Sequence, residues 1–466
     1  MPVNSFDQYP LTWKPDRARL RKPVYLSLVE LLEEEIVSGR LLPGTKLPPQ
    51  RELADYLDIN FTTVTRAFDI CRSKGLIYGV TGKGTFIAPH AAELVTIHEK
   101  DGRDKFISMG YIASFEQCNS IVAEAARRVV MKDYFQELLE YSNWRGRPNH
   151  ISAARRWLDG YGVHVDDEHI SFIYGATNGL SIILASLFKT GDTIAVDEYT
   201  FSNFMELARI YNIRMEPIAC DENGMLPDEL ERACRLNSIQ GIYLMPSCSN
   251  PTTVRIPLER RKALAGVISA FDLIVIEDDY TADLPSDELP TMFGLLPEQT
   301  CYLCGVSKIL CTGLRVSFLA YGERFRARIV NAIYNMVMTT SALDVEIISE
   351  LIMSGDAYRL AHKKHELGLE ANRIFDSYFP IFADKETRCC FHRCLPIPSG
   401  KKGVQIEREL LERGVEVYHS YRFCVSGEEK QHFIRMALTT PGSFDNLRRG
   451  LEIVRQYYID NNISIE

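Results

Sequence analysis

Apolar residues Tyr25, Leu28, Val29, Leu32 and Ile36 recur at helical spacing and stop at Ser38-Gly39, which predicts a first amphipathic helix. After Pro43-Gly44 and Pro48-Pro49, a short helix is expected over Arg51 to Leu57 and another over Phe61 to Lys74, closed by Gly75. With only Asp58-Ile59-Asn60 between them, these two make a helix-turn-helix. In the second of them Val64, Ala67, Phe68 and Cys71 form one apolar stripe, while Thr62 and Arg66, with Asp69, fall on the opposite side. The period then changes: Leu76 to Ile87 reads as two short strands around the glycine-flanked Lys83. Such a hairpin is a wing, whose glycines let the backbone and the Lys83 charge approach a phosphate.

Residues 89–105 are polar, rich in Glu, Lys and Asp, and read as a linker between a head (1–88) and a body (106–466). In the body the apolar runs Ile170 to Tyr174, Thr193 to Val196, Gly241 to Met245, Leu273 to Ile276 and Cys301 to Leu303 alternate with helical stretches. That alternation predicts an α/β fold with a largely parallel, doubly wound sheet, in which ligands sit at the carboxyl ends of the strands.

Composition narrows the picture little. With 466 residues, 46% apolar and 25% charged, the chain has room for two or three cores. Its longest apolar runs, such as Leu180 to Phe188, fall short of a membrane span, and its first residues lack the features of a secretion signal, so a cytoplasmic protein with no membrane partner is expected. Twelve cysteines show no framework spacing. The pair Cys301 and Cys304 has no second pair at zinc-ribbon spacing, and Cys389, Cys390, His392 and Cys394 crowd onto one strand that alternates faces, so no metal is expected. Charge is uneven, with a net of +2 over residues 1–88 and −11 over the remainder. That balance suits a nucleic-acid module at one end.

The chemistry gathers at strand ends. In Gly305-Val306-Ser307-Lys308, followed by Arg315, an amine able to form a Schiff base stands beside a hydroxyl and a guanidinium that suit a phosphate dianion. Pyridoxal phosphate combines both groups. Gly175-Ala176-Thr177 follows a strand and opens a helix, which makes an anion cradle from free N–H groups and the Thr177 hydroxyl. Asp278 at the end of an apolar strand needs a cationic partner, and a protonated pyridine nitrogen is one. Asn250 and Tyr280 can hydrogen-bond the phenolic oxygen, and Phe201 can stack on the ring. A magnesium acid for a nucleotide hydrolase is the rival role for Asp278, but the chain has no GxxxxGK[ST], and Gly79 to Lys83 is wrongly spaced.

Leu47 to Ala54, Thr62 to Phe68 and Gly82 to Phe86 resemble the DNA-binding domain of the GntR family. The resemblance points to Arg51, Thr62, Thr63, Arg66 and Lys83 as contacts to a double-stranded DNA operator, although Phe61 stands where many members carry Arg. Tyr141 to Gly146, Gly175 to Thr177, Asp197 to Phe201, Ser249 to Thr252, Glu277 to Tyr280, Ser307-Lys308 with Arg315, and Phe433 to Met436 resemble a fold type I aminotransferase. This implies a smaller C-terminal α+β subdomain beside the main sheet. By position, Lys308 holds the aldehyde, Asp278 the ring nitrogen, Asn250 and Tyr280 the phenolic oxygen, and Phe201 the ring face. Ala176, Thr177, Ser307 and Arg315 hold the phosphate, Tyr141 reaches it from a partner subunit, and Arg435 takes a substrate α-carboxylate. The pattern departs at Gly305, Thr312 and Thr253, where Ser or Thr, Pro and Gly are usual.

Head and body together resemble the MocR subfamily of transcription regulators. That resemblance implies a head-to-tail homodimer that senses an amino acid, an amine or pyridoxal phosphate through an aldimine at Lys308. The alternative is a working aminotransferase with an accessory DNA-binding head.

Overall fold

Helices α1 (Val24–Val37), α2 (Gln50–Leu57) and α3 (Phe61–Ser73) each turn their apolar stripe inward. Leu28, Val29, Leu32 and Ile36 meet Leu53, Leu57, Val64, Ala67 and Phe68 in one core. The break between α2 and α3 has a local cause at each side. Asp58 ends α2 in the left-handed region at φ 52°, and Asn60 caps α3, its Oδ1 accepting the Thr62 amide at 2.9 Å and the Thr62 hydroxyl at 2.8 Å. Strands β1 (Ile77–Val80) and β2 (Gly84–Ile87) pair antiparallel, and the hairpin turns through Gly82 at φ 75° and Gly84 at φ 116°.

This computed structural model describes residues 12–37, 40–42, 44–73, 76–80, 82–88, 91, 105–141, 143, 145–280, 289–383, 388–398 and 400–464. The expected helix stops at Ser38-Gly39 and Gly75 lie outside the described residues, as does the expected linker apart from Ala91 and Lys105.

In the body seven strands form one sheet: β3 (Ile170–Ile173), β4 (Thr193–Asp197), β5 (Arg214–Ile218), β6 (Gly241–Leu244), β7 (Ile274–Asp279), β8 (Thr300–Gly305) and β9 (Ser317–Tyr321). Their spatial order is β3-β9-β8-β7-β6-β4-β5. Only β9 opposes its neighbours, so the sheet is mostly parallel, as the alternation of runs and helices predicts. Two of these strands were not among the expected runs. Strand β5 carries Arg214, Glu216 and Pro217, a composition that only a sheet edge accepts, and β9 is the antiparallel member beyond Arg315.

Both faces of the sheet are covered by apolar packing. Alternation along β8 sends Cys301 to one core and Cys304 to another, which separates the CxxC pair. A smaller antiparallel sheet, β10 (His392–Pro396), β11 (Tyr418–His419) and β12 (Phe433–Ala437) in the order β10-β12-β11, forms the C-terminal subdomain and carries Arg435. Among the described residues no helix is long and apolar enough to cross a membrane.

Candidate functional site

Parallel strands that end on one side of a sheet deliver their following residues to a common crevice. Here the ends of β3, β7 and β8 do so, and a single pocket is lined by Ala176, Thr177, Phe201, Asn250, Asp278, Tyr280, Ser307, Lys308, Arg315 and Arg435. Tyr111, Ile112, Asn203 and Ser317 also line it and escape the sequence reading. Tyr141 does not reach this pocket and is 88% exposed.

At one end helix α4 (Ala176–Leu187) begins just after Gly175, whose φ is 78°. A Cβ at Gly175 would stand 2.4 Å from a nitrogen of Arg315, so glycine is what lets that guanidinium lie against the helix start. The helix start at Ala176, the Arg315 side chain, Thr177 and Ser307 thus line one pocket, a set of donors that suits an anion. Gly305, where the family favours a hydroxyl residue, has its own reason: a Cβ there would meet Tyr280 Cα at 3.0 Å. Thr253 keeps a left-handed φ of 61° where glycine is usual, its amide held by the Ser249 carbonyl at 2.8 Å.

At the other end Asp278 is buried, and its Oδ2 accepts the Tyr243 hydroxyl at 2.8 Å while its Oδ1 is buried without a partner. Burial pushes this carboxyl up to about 7, against the pull of the Tyr243 hydrogen bond. A buried acceptor in that position fits a protonated ring nitrogen. Asn250 gives its Oδ1 to Arg435 at 3.0 Å, which leaves its amide hydrogens for an oxygen acceptor.

Lys308 Nζ donates to the Ile112 carbonyl and sits 4.9 Å from the centre of the Tyr111 ring. Burial, then the charges of Arg315 and Arg435, lower its amine to about 7. Half of such amines are unprotonated at neutral pH. Attachment of the cofactor to cofactor-free protein is therefore expected to speed up as pH rises through about 7 and then level off, followed as growth of the visible band. A rate still climbing toward the ordinary lysine range would contradict this placement.

The strap from Met109 to Ser114 lines the pocket through Tyr111 and Ile112. Arg435 donates to Asn250 and to the Gly110 carbonyl, and Thr440 to the Tyr111 carbonyl. Ser114 Oγ donates to the Lys308 carbonyl at 2.7 Å, and buried Lys364 holds both Ser114 Oγ and the Leu310 carbonyl at 2.6 Å. These strap and support residues lie far apart in sequence and match no motif, so only the fold reveals them.

In the head, Arg51, Thr62, Arg66 and Lys83 are exposed and Thr63 is half-buried. The Arg66 guanidinium stacks 3.8 Å from the Tyr25 ring centre, and Arg51 lies 5.7 Å from that of Phe61. Elsewhere His419, Glu429 and His432 bring ligand atoms within 4.8 Å of one another, but His419 Nδ1 already accepts the Tyr421 amide at 3.3 Å.

Fold and side chains together define an aminotransferase-type body carried with a winged helix-turn-helix head. Residues 112–450 match the family described as "Aminotransferase class I and II", and residues 24–87 match "Bacterial regulatory proteins, gntR family". The chain is 32% identical over 460 residues to the uncharacterized HTH-type transcriptional regulator YdeF of Bacillus subtilis (strain 168), covering 99% of this chain and 100% of that one. It is 25% identical over 307 residues to the vitamin B6 salvage pathway transcriptional repressor PtsJ of Salmonella typhimurium, covering 65% and 68%. It is 23% identical over 381 residues to the probable rhizopine catabolism regulatory protein MocR of Rhizobium meliloti, covering 76% of each. In fold it is similar to an archaeal alanine:glyoxylate aminotransferase, with a TM-score of 0.70 at 22% identity over 76% of this chain and 91% of that one. The chain belongs to the MocR subfamily of gntR-type transcriptional regulators, and pyridoxal 5'-phosphate is the cofactor of its body.

Proposed function

We propose that this regulator reads a DNA operator with α3 and the β1–β2 wing and senses an amino acid, an amine or pyridoxal phosphate at Lys308. The observation that carries this reading is the convergence of Lys308, Asp278, Arg315 and Arg435 in one pocket under a strap that follows the linker from the head. Bound cofactor supplies an electron-withdrawing ring and an aldehyde for an amine. Lys308 anchors the aldehyde, Asp278 pairs with the ring nitrogen, and Asn250 and Tyr280 take the phenolic oxygen. Phe201 covers the ring, while Ala176, Thr177, Ser307 and Arg315 hold the phosphate.

Effector sensing follows from what Lys308 and Arg435 already hold. Their partners are the Ile112 and Gly110 carbonyls, so an amine that would free Lys308 and a carboxylate that would take Arg435 would both change the grip on the strap. The strap continues through residues 106–108 toward the linker, which gives that change a covalent path to the head. Tyr141, exposed on its own chain, reaches the phosphate of a partner subunit in a head-to-tail homodimer. Exposed Val130, Met131 and Leu139 nearby supply apolar area for such a contact. The regulator acts in the cytoplasm.

Binding to the DNA upstream of its own gene tests the reading. Affinity is expected to fall as salt rises, and Arg66→Ala to weaken it about tenfold. A specific footprint that survives Arg66→Ala unchanged would remove α3 as the reading helix. The gathering of the expected residues other than Tyr141 in the pocket favours a second reading, turnover as an aminotransferase, which a steady yield of keto acid from added amino acids would establish.

A further inference from the structure

Strands β6 and β7 are parallel neighbours whose register sets Tyr243 opposite Ile276. Asp278, two residues further along β7, therefore projects from the same face as Tyr243. The two side chains meet there, Tyr243 Oη donating to Asp278 Oδ2 at 2.8 Å, with both residues buried. Helix α5 (Ser202–Ile210) fixes the phenol from the other side, because Phe204 stacks on its ring with centroids 3.8 Å apart and planes 8° apart. Burial and the nearby Asp278 charge push the Tyr243 phenol well above its ordinary range, so it keeps its proton and acts as the donor.

The adjoining carboxylate does not compete for that donor. Asp279 projects the other way, where Tyr302 donates to it at 2.9 Å and Ser247 at 3.3 Å. Among the described residues, the hydrogen bond that reaches the Asp278 carboxylate comes from Tyr243. It occupies Oδ2 and leaves Oδ1 buried and without a partner, on a residue that lines the pocket.

We propose that Tyr243 is a positioning residue for the cofactor's ring nitrogen: it holds Asp278 with Oδ1 toward the ring and weakens that carboxylate as a base. A proton shared between Oδ1 and the ring nitrogen then stays on the nitrogen, which keeps the ring an effective electron sink. Without the Tyr243 donor the carboxylate is the stronger base and draws the same proton onto Oδ1. No other atom changes partner. This inference rests on the reading of the pocket as a pyridoxal phosphate site, and it assigns the tuning of that site to a residue outside its wall.

The test is nitrogen NMR of the holoprotein loaded with cofactor isotopically labelled at the ring nitrogen. In Tyr243→Phe, which keeps the ring that stacks on Phe204, the sharing equilibrium is expected to move about tenfold toward Asp278, and the resonance toward that of an unprotonated pyridine. An intact wild-type signal with an unmoved Tyr243→Phe signal overturns this proposal alone. A wild-type protein that takes up no cofactor overturns the pocket reading beneath it as well. Should Tyr243→Phe not fold, fluorotyrosine at position 243 preserves the shape and donates more strongly. It is expected to move the resonance the opposite way, and no movement, or movement toward the unprotonated form, overturns the proposal. A purely structural part for Tyr243 would lower the unfolding midpoint and leave the resonance where it is.

Discussion

Lys308→Ala is expected to yield colourless protein that gains no visible band when pyridoxal phosphate is added. The band requires a conjugated link between the aldehyde and a primary amine, and the Lys308 amine is the one that the pocket presents. Another buried amine lies close by, but Lys364 is turned toward Ser114 and the Leu310 carbonyl and does not line the pocket. The variant keeps Thr177, Ser307 and Arg315, so the cofactor is expected to bind through its phosphate and to leave on dialysis. DNA binding by the head is expected to persist, since none of the residues proposed to contact DNA lines the pocket. Absorbance before and after dialysis checks the outcome. A band that survives would put the link on a different amine.

Glu346→Ala is expected to cost about 3–5 kcal/mol of the body's stability, read as a lower denaturation midpoint. Glu346 has no exposed surface and lies on the helix Ala342–Met353. It accepts from His150 Nε2 at 2.6 Å, Lys132 at 2.7 Å, Tyr134 at 2.8 Å and Asn149 at 3.0 Å. Burial alone would raise its carboxyl, but hydrogen bonds from His150, Lys132, Asn149 and Tyr134 outweigh burial and hold it well below the usual carboxylate range. A lowered folded value means that the stabilisation is complete above the unfolded carboxyl value of about 4.3 and is lost as pH falls below it. The wild-type body should therefore lose stability in acid, and Glu346→Ala should lose much of that acid dependence. Equal acid dependence in both proteins would show that Glu346 does not carry the charge described. His150 and Asn149 open the helix Pro148–Asp159, so the network also ties the start of that helix to the helix Ala342–Met353.

Much of this arrangement is legible in the chain because local periodicity and local chemistry agree. The stripe of α3 and the glycines of the wing fix the head, and the runs Gly241 to Met245 and Leu273 to Ile276 are apolar because parallel strands are covered on both faces. The residues Ser307, Lys308, Asp278 and Thr177 announce themselves by standing at strand ends. What stays hidden depends on register and on distant segments. Strand β5 reads as polar because one of its edges is unpaired. Tyr243 looks like one more large residue in an apolar run until β6 is set beside β7. The strap matches no motif, since it meets Lys308 and Arg435 through the carbonyls of Ile112 and Gly110.

Those two carbonyls have a consequence for the regulator's sensitivity. On the proposed reading, a ligand carboxylate and the Gly110 carbonyl contend for Arg435, while a ligand amine would release Lys308 to the Ile112 carbonyl, so the response follows a difference between affinities rather than the strength of any one. The concentration that trips the response is then adjustable by changes near Tyr111 that touch no ligand. Related chains with an identical pocket would answer at different abundances of one metabolite, each calibrated by how firmly its own peptide oxygens are gripped.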